Sequence, residues 1–542
     1  MEKISSDPPA QEIQSDAPDE GELDRPPAST WTVVSLTIAL CLGIFCMSLD
    51  VTIITTAIPR ITDQFDSLND VGWYGSSFLL TNCATTLAFG KFYTFYSTKW
   101  VYLSALFLFE VGSLVCGVTP TSVGLILGRC IAGVGAGGLF SGSLLIIAQT
   151  VPLHRRPIFT ALLGSMYGIA SVAGPPLGGA LTDRVSWRWC FYINLPIGAV
   201  TATFVLFFFH APKSVKRRPE LRKLLGELDP IGSFFFLPAI VCLLLALQWG
   251  GTEYAWNNPR IIVLFVLTGV LLLVFVAVQI YEKEKATLPP HIVKNRNIWS
   301  SAWFAITLNG AYFVFIYYLP IWFQTIKAAS ATKSGVMNLP SIIAVVIVSI
   351  LSGVLVTISG YYNPVMIMSA VALSIGAGLL STLKTDSGSG EWIGYQILMG
   401  IGVGLGMQQP FIVVQNVLPD VDIPTGTAVV TFAQTLGGAI FISVGQNIFQ
   451  NQFAHAMRLE DLSAEIATAL AAGTTTLRKN LPAELLPAVL RSYNSAITEA
   501  FYVGVALAAL SIFGTIGLEW KSVKKPRNTT PNDEAAVAAE SG

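Results

Sequence analysis

The sequence predicts an all-α, multi-pass membrane protein of fourteen transmembrane helices, built as two pseudo-repeated six-helix bundles plus two inserted helices. Three observations predict it. Of 542 residues, 53% are hydrophobic and only 12% are charged, with a mean hydropathy of +0.61, a balance foreign to soluble globular chains. Apolar runs near twenty residues recur along almost the whole length, each able to cross about 30 Å of hydrocarbon as a helix. Three short patterns also recur in the same order at nearly one offset. Gly90–Ser97 has a counterpart in Gly353–Gly360, 263 residues on. The run Gly133-Val134-Gly135-Ala136-Gly137 reappears as Gly402–Gly406, 269 residues on, and Pro157 and Pro424, each opening a span, are 267 apart.

Residues 1–30 are acidic and rich in Pro and Ser, so they are expected to be a disordered cytoplasmic tail. They are not a signal peptide, since the charge is acidic and the first apolar run is too long. Residues 31–210 form the first bundle, with spans at 33–57, 72–90, 100–118, 122–148, 157–180 and 189–209. Residues 211–298 are a linker holding two further spans, 231–250 and 260–280. Residues 299–520 form the second bundle, with spans at 302–324, 337–358, 363–383, 391–416, 424–448 and 499–519. Within it, 449–498 is expected as an extracellular loop whose Leu459, Leu462, Ile466 and Leu470 suggest short amphipathic helices over the exit. Residues 521–542 close the chain as a second cytoplasmic tail.

An even number of spans puts both termini on one side. The cluster Lys213, Lys216, Arg217, Arg218, Arg222 and Lys223 makes that side cytoplasmic, as does the tail with Lys521, Lys524, Lys525 and Arg527. On that topology the Asn528-Thr529-Thr530 glycosylation pattern stays unused. The plasma membrane is favoured, with a vacuolar or other internal membrane left open. Seven cysteines lie in or at the ends of spans without a disulfide pattern. Four scattered histidines argue against a metal site. No basic stripe points to nucleic acid, and no nucleophile–base constellation points to an enzyme or a catalytic residue. The partners read from the chain are the lipid bilayer, a small-molecule substrate and protons. No cofactor beyond a proton gradient is called for, and the chain is read as a monomer.

Charges inside spans are costly and therefore informative. Asp50 and Arg129 fall at similar depth in the outer half of the membrane, where they could pair, and Glu110 sits near the midplane. The three make either a buried structural pair with a neighbour or a proton-exchanging group tuned by Arg129. No other span carries a central charge. A second concentration lies at 164–179, where Gly164 and Gly168, and Gly174 and Gly178, give two small-xxx-small pairs for close helix approach. Pro175 and Pro176, beside Gly179, are expected to bend or break that helix. In the second half Asn309, Tyr312, Phe313 and Tyr317 make a polar–aromatic stripe that could face a cavity. The amides Gln396, Gln408 and Gln434 are expected to face the interior, to bond substrate or to join helices. A half without central charge suits neutral or amphipathic molecules.

These motifs resemble the major facilitator superfamily, and within it the fourteen-helix drug:proton antiporters such as fungal multidrug and toxin efflux pumps. Leu49–Pro59 looks like the family's first-helix signature, and Arg129 with Gly133, Gly135 and Gly137 like its fourth-helix motif, whose arginine is implicated in proton coupling. Gly174-Pro175-Pro176-Leu177-Gly178-Gly179 is similar to its antiporter motif, and Trp187–Gly198 has the look of its sixth-helix entry. The loop opened by Gly90 resembles the family's cytoplasmic gate loop and keeps the basic Lys99. Thr94 stands there in place of an Asp and Ser97 in place of a glycine, which argues against a charge relay. The resemblance implies a proton-coupled exporter of small amphipathic molecules working by alternating access. An importer such as a siderophore carrier, or a non-transporting sensor of the same fold, are the alternatives.

Overall fold

The structure, a computed structural model, describes residues 29–67, 70–210, 229–251, 253–459 and 486–524. Fourteen long helices run through these residues. In the first half they are α1 (Thr30–Phe65), α2 (Val71–Phe95), α3 (Thr98–Val118), α4 (Ser122–Thr150), α5 (Arg156–Arg184) and α6 (Asn194–Phe208). Then come α7 (Pro230–Trp249) and α8 (Pro259–Glu282). The second half holds α9 (Arg296–Thr325), α10 (Leu339–Ser359), α11 (Asn363–Ser381), α12 (Ser389–Val417), α13 (Ile423–Leu459) and α14 (Leu486–Ile516). Among the described residues, thirteen helices are long and apolar enough to cross a membrane. The fourteenth, α2, falls short because Ser76, Ser77, Thr81, Asn82, Thr85 and Thr86 line it, and it is enclosed by α4, α7 and α13.

The two halves repeat each other helix by helix, α1–α6 matching α9–α14. The pairs α1/α5, α2/α4, α3/α4, α1/α6 and α3/α6 recur as α9/α13, α10/α12, α11/α12, α9/α14 and α11/α14. Backbone contacts fix the register. Gly135 packs on the Phe109 amide as Gly402 packs on that of Leu373, and Gly112 meets the Ala132 amide as Gly376 meets that of Met399. Gly133, Gly135 and Gly137 therefore correspond to Gly400, Gly402 and Gly404, an offset of 267. This corrects the offset of 269 for that run. Glycines alternating every second residue let the pattern slip by two without changing its appearance.

Several expected boundaries move. The Pro175-Pro176 pair does not break α5, which runs helical from end to end. The pair removes two amide donors, but α1 clasps the same stretch: Thr52 Oγ1 donates to the Ala170 carbonyl at 3.1 Å. By contrast α12, expected as a single span, is interrupted. Its first part ends at Gly406 and its second begins at Gln409. Pro410 there lacks the donor that the Gly406 carbonyl would need. Gln434 Nε2 takes up the exposed Met407 carbonyl at 2.9 Å, and Gln409 Nε2 that of Leu405 at 3.0 Å. The described ends of the expected loop 449–498 are helix, because α13 continues to Leu459 and α14 starts at Leu486, and residues 460–485 lie outside the described residues. A stack of Tyr318, Phe449, Phe453 and Tyr493 joins the extensions, with centroids 5.1–5.9 Å apart. Leu462, Ile466 and Leu470, the basic cluster 213–223, the acidic tail before Ser29, and Lys525, Arg527 and Asn528-Thr529-Thr530 lie outside the described residues.

The inserted α7–α8 hairpin covers the α2–α13 boundary. Phe236, Ile240 and Phe275 pack with Cys83, Ala84 and Leu87 of α2 and Ala428 of α13. Its base is held by Asp229, whose buried carboxylate receives Gly232 N at 2.7 Å, Gln279 Nε2 at 2.6 Å, and the Thr287 amide and hydroxyl, both at 2.8 Å. Burial pushes this carboxyl up, but the donors from Gln279, Thr287 and Gly232 outweigh it and hold it below the ordinary aspartate range. Its stabilising contribution is thus fully present above about pH 4 and is lost as pH falls through the lowered folded value. Asp229→Ala leaves buried donors unmet, at ~1–3 kcal/mol each. We expect a clearly lower unfolding midpoint of the purified protein at neutral pH and a gap to the parent that narrows on acidification.

Candidate functional site

α1 begins and α14 ends on the face that carries the α2–α3 and α4–α5 turns, called here the terminal face. There the halves are closed on each other by two equivalent seams. At one, a methyl group on Gly90 of α2 would lie 2.6 Å from the Ala428 Cβ and 3.5 Å from the Pro424 carbonyl of α13. At the other, a methyl on Gly353 of α10 would lie 2.8 Å from the Ala161 Cβ and 2.7 Å from the Pro157 carbonyl of α5. Each pair of α5 and α13 atoms is 267 residues apart, so the seams are pseudo-symmetric to the atom. Thr94 and Thr357 each donate to the glycine one turn back. Thr94 also bonds the Thr425 hydroxyl across the first seam at 3.3 Å. Lys99 is not part of the seam: its Nζ donates to the Leu206 carbonyl at the end of α6. Nearer the membrane centre Phe140 of α4 meets Phe411 of α12 and Tyr167 of α5 edge to face, at 5.4 Å and 5.6 Å. That cluster shuts the axis between the halves.

The glycines of α5 serve two different helices. Gly164 and Gly168 face the second half, at Gln408 and Val346. Gly174 and Gly178 face α1, at Thr52, Thr56 and Ile53, and a methyl on Gly178 would lie 2.6 Å from the Ile53 carbonyl. The two pairs are ten residues out of step, which places them about 80° apart around the helix. Gly179 faces open space, with no atom within 4 Å of where a Cβ would stand, and Pro175 is half-buried. Thus α5 is the element that touches both the opposing half and the turn of α1 following Asp50.

Asp50 and Arg129 are 0% and 1% exposed and form an ion pair through Oδ2 and Nη1. The pair is fully furnished. Arg129 Nε donates to the Tyr74 carbonyl at 2.8 Å, and its guanidinium lies over the Phe78 ring at 4.5 Å. Asn194, the first residue of α6, donates to Asp50 Oδ1 at 3.0 Å and to Ser113 Oγ at 3.1 Å. Cys46 donates to Asn194 Oδ1 at 3.2 Å. Glu110 stands one turn from Ser113 on α3. Both its carboxyl oxygens are shielded and have no hydrogen-bond partner among the described residues, and Oε1 lies against Gly198 of α6. Five helices of the first half therefore converge on one polar cluster in an apolar bundle. Asn194 falls inside the Trp187–Gly198 motif, where an amide near a helix start is the one sequence signal of its role.

The second half carries a neutral copy of this site. Gln396 occupies the place of Arg129, and its Nε2 donates to the Met337 carbonyl at 3.0 Å just as Arg129 Nε donates to that of Tyr74. Gly178 faces Thr56 and Gly445 faces Tyr318, which puts Tyr312 in the place of Asp50. Asn309 is buried and donates to Ala305 of its own helix. Phe313 packs on Gly438, and Phe313 and Tyr317 are exposed. Gln408 and Gln434 bracket the break in α12, with Gln408 Oε1 buried and without a hydrogen-bond partner among the described residues. These residues do not form one stripe. A cavity of about 430 Å³ lies instead between α1 and α5, lined by Thr37, Ile38, Cys41, Leu42, Phe45, Leu162 and Met166.

Comparison with known proteins places this geometry. Residues 40–442 match the family model described as Major Facilitator Superfamily. The chain is 89% identical to "Efflux pump roqT" of Penicillium rubens, over 99% of this chain and 100% of that one. It is 56% identical to "MFS-type transporter astH" of Aspergillus oryzae, over 96% and 92%. It is 54% identical to "MFS-type efflux pump MFS1" of Trichophyton rubrum, over 90% and 91%. Among solved structures, the fold is similar to the human organic anion transporter MFSD10 (TM-score 0.56, 12% identity, 89% of this chain and 100% of that one). It is also similar to the proton:xylose symporter XylE (TM-score 0.54, 15% identity, 88% and 94%).

Proposed function

The chain belongs to the major facilitator superfamily and is a multi-pass membrane transporter, and from that premise we propose that it exports small, neutral or amphipathic organic molecules in exchange for protons. The observation that carries the coupling is the buried Asp50–Arg129 pair, tied by Asn194 to α6 and lying two residues before Thr52, where α5 is clasped. A charge change here alters how α1 sits on α5, and another side of α5 makes one of the two seams between the halves. Protonation and opening are thus linked through one rigid element with two packing faces. The names of the fungal relatives support export over import. We assign the terminal face to the cytoplasm, where its closure bars cytosolic substrate while the proton site is reset, and place the protein in the plasma membrane as a monomer.

A pump-deficient yeast producing the chain tests this with Nile red, a neutral amphipathic dye. We expect several-fold lower dye accumulation than in the empty host, reversed by a protonophore. Export that persists undiminished with the protonophore removes the proton from the mechanism.

A further inference from the structure

Resting on the proton-coupled reading above, we propose that Glu110, rather than Asp50, takes up and releases the transported proton, while Asp50 stays ionised as the fixed counter-ion of Arg129. Asp50 is committed: one oxygen is paired with Arg129 and the other receives Asn194 Nδ2 at 3.0 Å. Protonating it would leave a buried guanidinium without its counter-charge, an expensive state in hydrocarbon. Glu110 is in the opposite situation. Its oxygens are shielded and receive no hydrogen bond from any described residue. The helix facing it offers Gly198, which has no side chain to donate. A carboxylate held like that pays full desolvation without compensation, whereas the neutral acid does not. The geometry therefore holds Glu110 as the acid in this conformation.

The groups around it explain how its proton is felt elsewhere. From α1 it faces Asp50 and Cys46, and Arg129 of α4 lies beyond Asp50. From α6 it faces the uncharged Gly198, one turn on from Asn194, which is also uncharged and bonds Ser113. When the α3–α6 contact at Gly198 loosens, water reaches the carboxyl and the proton leaves from Glu110 to that water. A second negative charge then stands beside Asp50 and competes for the Asn194 amide and for Arg129. Reprotonation from the opposite side restores the arrangement described, with one proton carried per cycle. The second half has no equivalent. Its matching position on α11 is Ser374, which bonds its own helix at Ala370.

Infrared difference spectroscopy of the purified full-length protein in lipid nanodiscs tests the assignment without any substrate. At neutral pH the parent is expected to show the deuterium-sensitive carbonyl stretch of a protonated carboxylic acid. That band should vanish in Glu110→Gln, persist in Asp50→Asn, and move in Gly198→Ala, whose added methyl presses on the Glu110 carboxyl. A parent without the band, or a band that survives in Glu110→Gln, overturns the proposal. In vesicles, Glu110→Gln should retain downhill Nile red movement while losing at least tenfold of the accumulation driven by a pH gradient. Unaltered gradient-driven accumulation in that variant also overturns it. A parent that ignores the gradient sinks the proton-coupled reading instead, and the infrared result then separates the two failures.

Discussion

Asp50→Asn is expected to abolish gradient-driven efflux and to destabilise the protein by ~3–5 kcal/mol, the cost of leaving one member of a buried ion pair alone. The reason is visible in the partners of Arg129. Its Nε–Tyr74 bond and the Phe78 ring remain, but neither neutralises a guanidinium that is 1% exposed. The second half indicates the repair, since Gln396 fills the same place and satisfies the same backbone carbonyl without any charge. The double variant Asp50→Asn/Arg129→Gln should therefore recover most of the lost stability in a thermal melt while remaining inactive in vesicles. Recovery of gradient-driven transport in the double variant would show that the charges serve the fold alone.

The second large effect is expected at Gly174. Its missing side chain lets α5 lie directly on Thr52, and a methyl there would also stand 3.2 Å from the Ile53 amide. The nearest obstacles are the Thr52 hydroxyl and the Thr52 Cβ, which is rigid with its backbone, and the Ile53 amide lies just behind them, so Gly174→Val must move α1 in the turn after Asp50. Overpacking of this kind costs ~1–3 kcal/mol, which leaves the protein folded but displaces the ion pair. Transport should fall to background with near-normal delivery to the membrane. Gly179→Val, which meets nothing within 4 Å, is the control and should transport normally. Equal behaviour of the two variants in a transport assay would mean that the α1–α5 clasp plays no part in coupling.

What the sequence made legible follows physical lines. Asp50 and Arg129 could be paired from depth alone, because two opposite charges at one level of hydrocarbon have few other ways to be stable. The repeat was legible where a unique residue marked it, as at Pro157 and Pro424, and blurred where glycines alternate. The proline pair misled because intrinsic propensity took no account of the grip of α1 on Ala170, Gly174 and Gly178. The break in α12 escaped notice because Met407 and Gln408 look like any span interior until Pro410 is counted against the Gly406 carbonyl. Asn194 could not be placed because its partners lie 144 and 81 residues away in sequence.

The hairpin of α7 and α8 makes the molecule lopsided in the plane of the bilayer. The boundary between α2 and α13 lies beneath a curtain of phenylalanines. Among the described residues its twin between α5 and α10 has no such drape, and the hollow beside Ile38 and Met166 lies beside it on α1 and α5. On the export cycle we propose, a cargo dissolved among lipid tails would meet one doorway rather than two, although the protein is built from matching halves.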